Sequence, residues 1–198
     1  VEALRKAVEQ TRFAAARENT RYAINGVLWE QKGKRLQLVA TDGRRLALSA
    51  ASLERTSGSD GVRAIVPTKA LDVFGRLHLD ADEVVEVRLS ANQVVMRSEQ
   101  VTISSVLVEG HFPKYEDVIP REHDKTVTLR TADFLSAVRR VALLANAESK
   151  GIRLSLSDKT MVLSSRTPEQ GEATVRVPIE YSGAVLDIGF NPEFIADA

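Results

Sequence analysis

Over its first eighteen residues (VEALRKAVEQTRFAAARE) the chain places Val1, Leu4, Val8 and Ala15 on one helical stripe. Arg5, Lys6, Arg12 and Arg17 collect on other faces, and the pattern predicts an amphipathic helix. The helical period then disappears. Apolar runs at Arg21–Glu30, Arg35–Thr41 and Arg45–Ala50, each bounded by Gly, Asp or Lys-Gly, predict three strands. After a polar loop at Thr56–Gly61, a fourth strand is expected at Val62–Pro67, with Thr68 capping a second helix that runs to about His78. Three more strands are expected at Glu83–Leu89, Gln93–Arg97 and Val101–Val108, and Pro113 and Pro120 mark an irregular connector.

Beyond the connector the order restarts, with a strand at Thr126–Arg130 and a helix at Thr131–Asn146 striped by Phe134, Val138, Val141 and Ala145. Gly26 stands ten residues before Leu36, and Gly151 ten before Met161, so the halves align at a period of 125. Helix, Gly-led strand, charged turn and second strand recur in that register, the signature of an internal repeat. The second copy stops early: Asn191-Pro192-Glu193 has the cap, proline and acid of a helix start, and the chain ends five residues later. Opening on Val1 inside a helical pattern, the chain is expected to be a piece of something longer.

Composition narrows the function classes. With 198 residues, 43% of them hydrophobic, the chain suits one large domain or two of roughly 100 residues. The absence of cysteine excludes disulfides and thiolate metal sites and gives no reason for an oxidising compartment. No apolar run approaches the roughly 20 residues of a membrane span. Lys plus Arg equals Asp plus Glu at 27 each, which argues against a whole-surface nucleic-acid binder and leaves charge distribution to decide.

Catalytic patterns are missing: no glycine-rich phosphate loop, no His-Glu-x-x-His, no Gly-x-Ser-x-Gly. His78, His111 and His123 do not share a helix face and read as surface or loop histidines, and Asp80, Asp82 and Glu83 read as a solvated turn. A hydrolase or transferase working between the two halves would need a nucleophile and base that the sequence does not offer. An extracellular β-rich adhesion module is disfavoured by the lack of disulfides and by the charged helices.

Two segments stand out. In Thr41-Asp42-Gly43-Arg44-Arg45-Leu46-Ala47 the Asp-Gly pair makes a tight turn. In Arg21-Tyr22-Ala23-Ile24-Asn25-Gly26-Val27-Leu28 the Asn-Gly pair is either a hairpin turn or part of a glycine-bearing strand. Together with Gly110-His111-Phe112-Pro113-Lys114-Tyr115, Gly151-Ile152-Arg153-Leu154, Tyr181-Ser182-Gly183 and Ile188-Gly189-Phe190-Asn191, these segments resemble the bacterial DNA polymerase III β subunit, the sliding-clamp family, from end to end of the chain.

The resemblance implies an α+β DNA-clamp fold, repeated units of two helices packed on antiparallel sheets. Residues 1–120 would be the middle domain, lacking its first strand, with the connector, and residues 121–198 a truncated C-terminal domain. It implies a non-catalytic, cytoplasmic processivity factor without cofactor or metal, a homodimeric ring that encircles duplex DNA without reading its sequence. Its partners would be the clamp loader and the replicative polymerase and repair proteins, which dock through short peptides with hydrophobic and glutamine anchors.

Carried over by position, the peptide pocket between the middle and C-terminal domains takes Arg21, Ala23, Ile24, Thr41, Gly43, Arg44, Arg45, Leu46, Pro113, Val118, Asn191 and Phe194. Ile24, Leu46 and Val118 would form its apolar floor, and Arg21 or Arg45 would fix polar or acidic groups at the rim. Arg5, Lys6, Arg12, Lys69, Arg76, Arg139 and Arg140, all on expected helices, would face DNA. Arg44 stands where the family commonly has histidine, Ala23 where a larger residue can occur, and Asp117 where a basic residue can occur, so partner preference is expected to differ.

Overall fold

A computed structural model describes residues 1–17, 24–57, 61–145, 151–168 and 171–198. The chain divides into two compact units, Val1–Ile119 and Pro120–Ala198.

The first unit begins with α1 (Glu2–Arg12), which buries Ala7, Val8 and Thr11. The helix ends at Arg12 and not at residue 18, and Ala14 and Ala15 pack into the core from the turn that follows. Strands β1 (Gly26–Lys32), β2 (Arg35–Thr41), β3 (Leu46–Ser52) and β4 (Arg63–Pro67) form an antiparallel sheet in the order β3-β2-β1-β4. The expected first strand thus starts at Gly26, and of its remaining positions Arg21 to Ala23 lie outside the described residues. Gly26 is the glycine-bearing start of a strand, not a turn. A Cβ there would stand 2.7 Å from the Val66 carbonyl oxygen and 2.8 Å from Ile65 Cγ2, so the pairing of β1 with β4 leaves no room for a side chain.

β1 is buried on both faces. One face sends Val27 and Trp29 into the main core, with Leu36 and Leu38 of β2, Val66 of β4 and Ala7 and Val8 of α1. On the opposite face Leu28, Val39 and Ile65 are sealed by Tyr115 from the connector, flanked by Leu46, Val108 and Phe112. The second helix, α2 (Thr68–Gly75), buries Ala70, Leu71 and Phe74. Its N-cap is Pro67, and no side chain caps it, so Thr68 is the first helical residue and not the cap. α2 ends three residues before His78: the chain turns at Arg76, and Leu77 and Leu79 enter the core from an irregular stretch. β5 (Glu86–Leu89), β6 (Gln93–Arg97) and β7 (Thr102–Val106) form a second antiparallel sheet, with Val94 and Met96 turned into the same core.

In the second unit α3 (Thr131–Ala142) buries Ala137, Val138 and Val141, with Phe134 and Ala145 packed beside them. It lies with β8 (Ile152–Ser157), β9 (Thr160–Thr167), β10 (Gly171–Pro178) and β11 (Leu186–Phe190), ordered β10-β9-β8-β11. A short α4 (Pro192–Ala196) follows. The expected strand Thr126–Arg130 joins no ladder among the described residues; its alternation is real, because Val127 and Leu129 pack into the core, but the segment is extended without a sheet partner. The two four-stranded sheets have the same strand order, so the 125-residue period corresponds to a repeated helix-on-sheet topology.

Candidate functional site

The turn between β2 and β3 is built by Asp42. Its Oδ1 accepts the backbone N–H groups of Arg44 (2.9 Å) and Arg45 (3.1 Å), and Oδ2 accepts from Arg45 Nε (3.0 Å). Thr41 Oγ1 closes the turn from inside, donating to the Arg45 carbonyl at 2.7 Å and accepting from Gly43 N–H at 3.0 Å. Gly43 sits at φ +85°, the left-handed region that favours glycine.

The two arginines of this turn have different fates. Arg45 is paired with Asp42 through a side chain only 16% exposed, donates to the Phe13 carbonyl at 2.9 Å, and lies 5.5 Å from the centre of the Phe13 ring. Its guanidinium ties the turn to the end of α1, so it is committed to structure and not held out at a rim as the sequence suggested. Arg44 is exposed and makes no ion pair among the described residues.

Of the three expected floor residues, Leu46 is half-buried on the cluster of Leu28, Val39, Ile65 and Tyr115. Ile24 is buried, and its carbonyl accepts from Ala16 N–H at 2.9 Å. Val118 is 67% exposed, following the 3-10 turn Tyr115–Asp117. Pro113, half-buried, lies two residues before Tyr115 on the same connector. In the second unit, Asn191 caps α4 by accepting Glu193 N–H at 2.9 Å, and Phe194 lies half-buried in that helix. Arg21 and Ala23 lie outside the described residues.

The expected DNA-facing residues also separate. Arg5 is turned toward the stretch after α2, donating to the Leu77 carbonyl at 3.1 Å, and Arg12 pairs with Asp72 of α2. Arg76 lies just past α2 as its C-cap residue and not on the helix. Lys6, Lys69, Arg76, Arg139 and Arg140 are exposed and make no ion pair among the described residues. The histidines His78, His111 and His123 are exposed, and among the described residues no cluster of His, Asp and Glu could hold a metal.

Sequence reasoning missed a polar network on the outer face of the first sheet. Glu30 is only 5% exposed; it accepts from the Tyr115 hydroxyl at 2.9 Å and pairs with Lys32 at 3.1 Å and Arg63 at 3.3 Å. Gln37, directly across the ladder from Glu30, donates to the Tyr115 oxygen at 2.6 Å. Burial raises the Glu30 pKa, but the hydrogen bonds from Tyr115 and Lys32 and the charge of Arg63 outweigh it and hold the carboxyl below its ordinary value. Burial and the bond to Glu30 push the Tyr115 phenol well above its own. One signal was available: an aromatic residue inside a proline-marked connector has to be covered by something.

These shifts fix the sign of a pH dependence. A depressed Glu30 pKa contributes stability that is present above the ordinary carboxylate range and lost as pH falls through the folded value. A raised Tyr115 pKa contributes stability that is present below pH ~10 and lost at higher pH. Urea midpoints across pH, followed by the fluorescence of the single tryptophan, Trp29, should fall on both flanks. Glu30→Gln should flatten the acid limb and Tyr115→Phe the alkaline one; unchanged limbs in both variants would remove the network from the stability of this unit.

Residues 1–114 match the family model described as DNA polymerase III beta subunit, central domain, and residues 116–198 the one described as its C-terminal domain. The chain is 38% identical over 194 residues to the Beta sliding clamp of Pseudomonas aeruginosa, covering 98% of this chain and 53% of the relative. It is 33% identical over 194 residues to the Beta sliding clamp of Escherichia coli, covering 98% and 52%. A crystal structure of the DNA polymerase sliding clamp from Pseudomonas aeruginosa with ligand matches with a TM-score of 0.93 at 38% identity, covering 99% of this chain and 53% of that one. A second from that organism, bound to griselimycin, matches with the same TM-score and identity. The chain spans about half the length of these relatives.

Proposed function

The chain belongs to the DNA polymerase III beta subunit family, and on that premise we propose that it is the middle and C-terminal part of a sliding clamp that encircles duplex DNA. Residues 1–120 are the middle domain with its connector, and residues 121–198 part of the C-terminal domain. Two such subunits, each of three domains, close a ring in the cytoplasm. The clamp carries no active site, cofactor or metal of its own; it tethers the replicative polymerase and repair proteins, and a clamp loader opens it.

The observation that carries this reading is the repeated helix-on-sheet topology in a chain that matches two consecutive domains of the family. A ring retains DNA by topology, and a tight hold on phosphates would impede sliding. A formal charge of zero suits that task, because only scattered cations are required. Lys6, Lys69, Arg76, Arg139 and Arg140 supply them, each exposed and without an acidic partner among the described residues, whereas Arg12 is offset by Asp72 and Arg5 is held by backbone carbonyls.

Docking of partner peptides is assigned to the surface around Leu46, with Arg44 the basic group offered by its turn. A full-length subunit loaded on nicked circular DNA should be retained, and linearising the circles should release it within the dead time of a gel-filtration assay. Equal loss from circles and linear DNA would end the reading and favour a binder that grips DNA directly.

A further inference from the structure

We propose that Tyr115, through the hydrogen bond of its hydroxyl to the buried Glu30 carboxylate, is the positioning residue that holds the docking surface around Leu46 in its binding shape. The inference rests on the docking reading given above and adds to it the residue that organises the site.

Three expected docking residues depend on where Tyr115 sits. Leu46 packs on the cluster that contains the Tyr115 ring. Pro113 precedes Tyr115 by two residues, and Val118 follows by three with its N–H bonded to the Tyr115 carbonyl at 3.2 Å. Phe112 steadies the same stretch edge-to-face, its ring centre 6.4 Å from that of Tyr115 at 74°.

A proline-marked connector has few backbone bonds with which to fix itself, so a side-chain anchor sets its position. The anchor here is specific. The phenol hydrogen has an ionised acceptor at 2.9 Å, and the phenol oxygen is satisfied by Gln37 at 2.6 Å. The acceptor is held in turn by Lys32 and Arg63. Glu30 is itself fixed, since the strand that carries it is paired on both sides and its surface is only 5% exposed.

The Tyr115 cluster is also separate from the main core around Trp29. Loosening the connector therefore changes the docking surface while the unit stays folded, which separates positioning from a general structural role.

The test uses the full-length subunit and a fluorescein-labelled synthetic peptide with glutamine and hydrophobic anchors, at a temperature where circular dichroism shows every variant folded. Tyr115→Phe keeps the ring but strips the hydroxyl, and is expected to weaken peptide binding about tenfold and to speed hydrogen exchange at the Val118 amide. Glu30→Gln removes the charge of the acceptor and its ion pairs with Lys32 and Arg63, and is expected to weaken peptide binding in the same direction as Tyr115→Phe, by several-fold. If Tyr115→Phe binds like wild type while Leu46→Ala is weakened, docking stands and the positioning role falls. If Glu30→Gln binds like wild type while Tyr115→Phe is weak, the hydroxyl–carboxylate bond is not the organising contact and the proposal falls; if the wild type does not bind the peptide, both fall.

Discussion

Trp29→Ala is expected to destabilise the first unit by about 3–5 kcal/mol, the range for emptying a fully buried aromatic site. Trp29 has no exposed surface and stands where α1, β1 and β2 meet, among Val8, Val27, Leu38 and Phe74. Against typical domain stabilities of about 5–15 kcal/mol, that loss removes much of the margin. Trp29→Phe should cost well under half as much, because the buried indole N–H has no hydrogen-bond partner among the described residues and its removal relieves an unsatisfied donor. Far-UV circular dichroism in urea measures both, since the mutations delete the only tryptophan. A shift below about 1 kcal/mol for the alanine variant would mean that this sheet face is not the core of the unit.

Leu46→Asp is expected to weaken peptide binding by the full-length subunit at least ~30-fold, the scale of losing an interface hot spot. The side chain lies half-buried over Leu28, Val39, Ile65 and Tyr115, and a carboxylate there would face apolar atoms, while the neighbouring Arg45 is already paired with Asp42. The same burial means that Asp also costs the fold something, so Leu46→Ala, which removes contact without adding charge, serves as the companion. Size-exclusion chromatography should show the aspartate variant still dimeric. Unchanged peptide affinity in both variants would take the docking assignment away from this turn.

Periodicity made most of the architecture legible. Arg35–Thr41, an apolar run without helical period bounded by turn residues, and Gln93–Arg97 are strands with the expected bounds, and the helix stripes through Val8 and Val138 are buried as expected. Errors arose where an apolar residue entered the core without regular structure. Leu77 and Leu79 prolonged the apparent period of α2 past its end at Gly75, and Val127 and Leu129 imitated a strand in a segment that pairs with nothing described.

The candidate site was read less completely, for a different reason. Sequence shows charge but not whom it meets. Arg45 looked like a rim residue and is a brace, Arg12 was expected to face DNA and is paired with Asp72, and Glu30, read only as the end of a strand, is a buried anchor. Each of those outcomes depends on a partner distant in the chain: Phe13 for Arg45, Asp72 for Arg12, Tyr115 for Glu30.

The strand order carries a kinetic implication. In both four-stranded sheets the first three strands follow one another as hairpins, the first closed by Gly33-Lys34 in one unit and Asp158-Lys159 in the other. The outer strands β4 and β11 instead return from further along the sequence to lie beside the first. Closing a two-residue turn loses far less chain entropy than bridging the segment between Lys32 and Arg63, so the meander is the natural nucleus and the returning strand docks last. Substitutions in the hairpins would then slow refolding, while those in β4 or β11 would chiefly hasten unfolding.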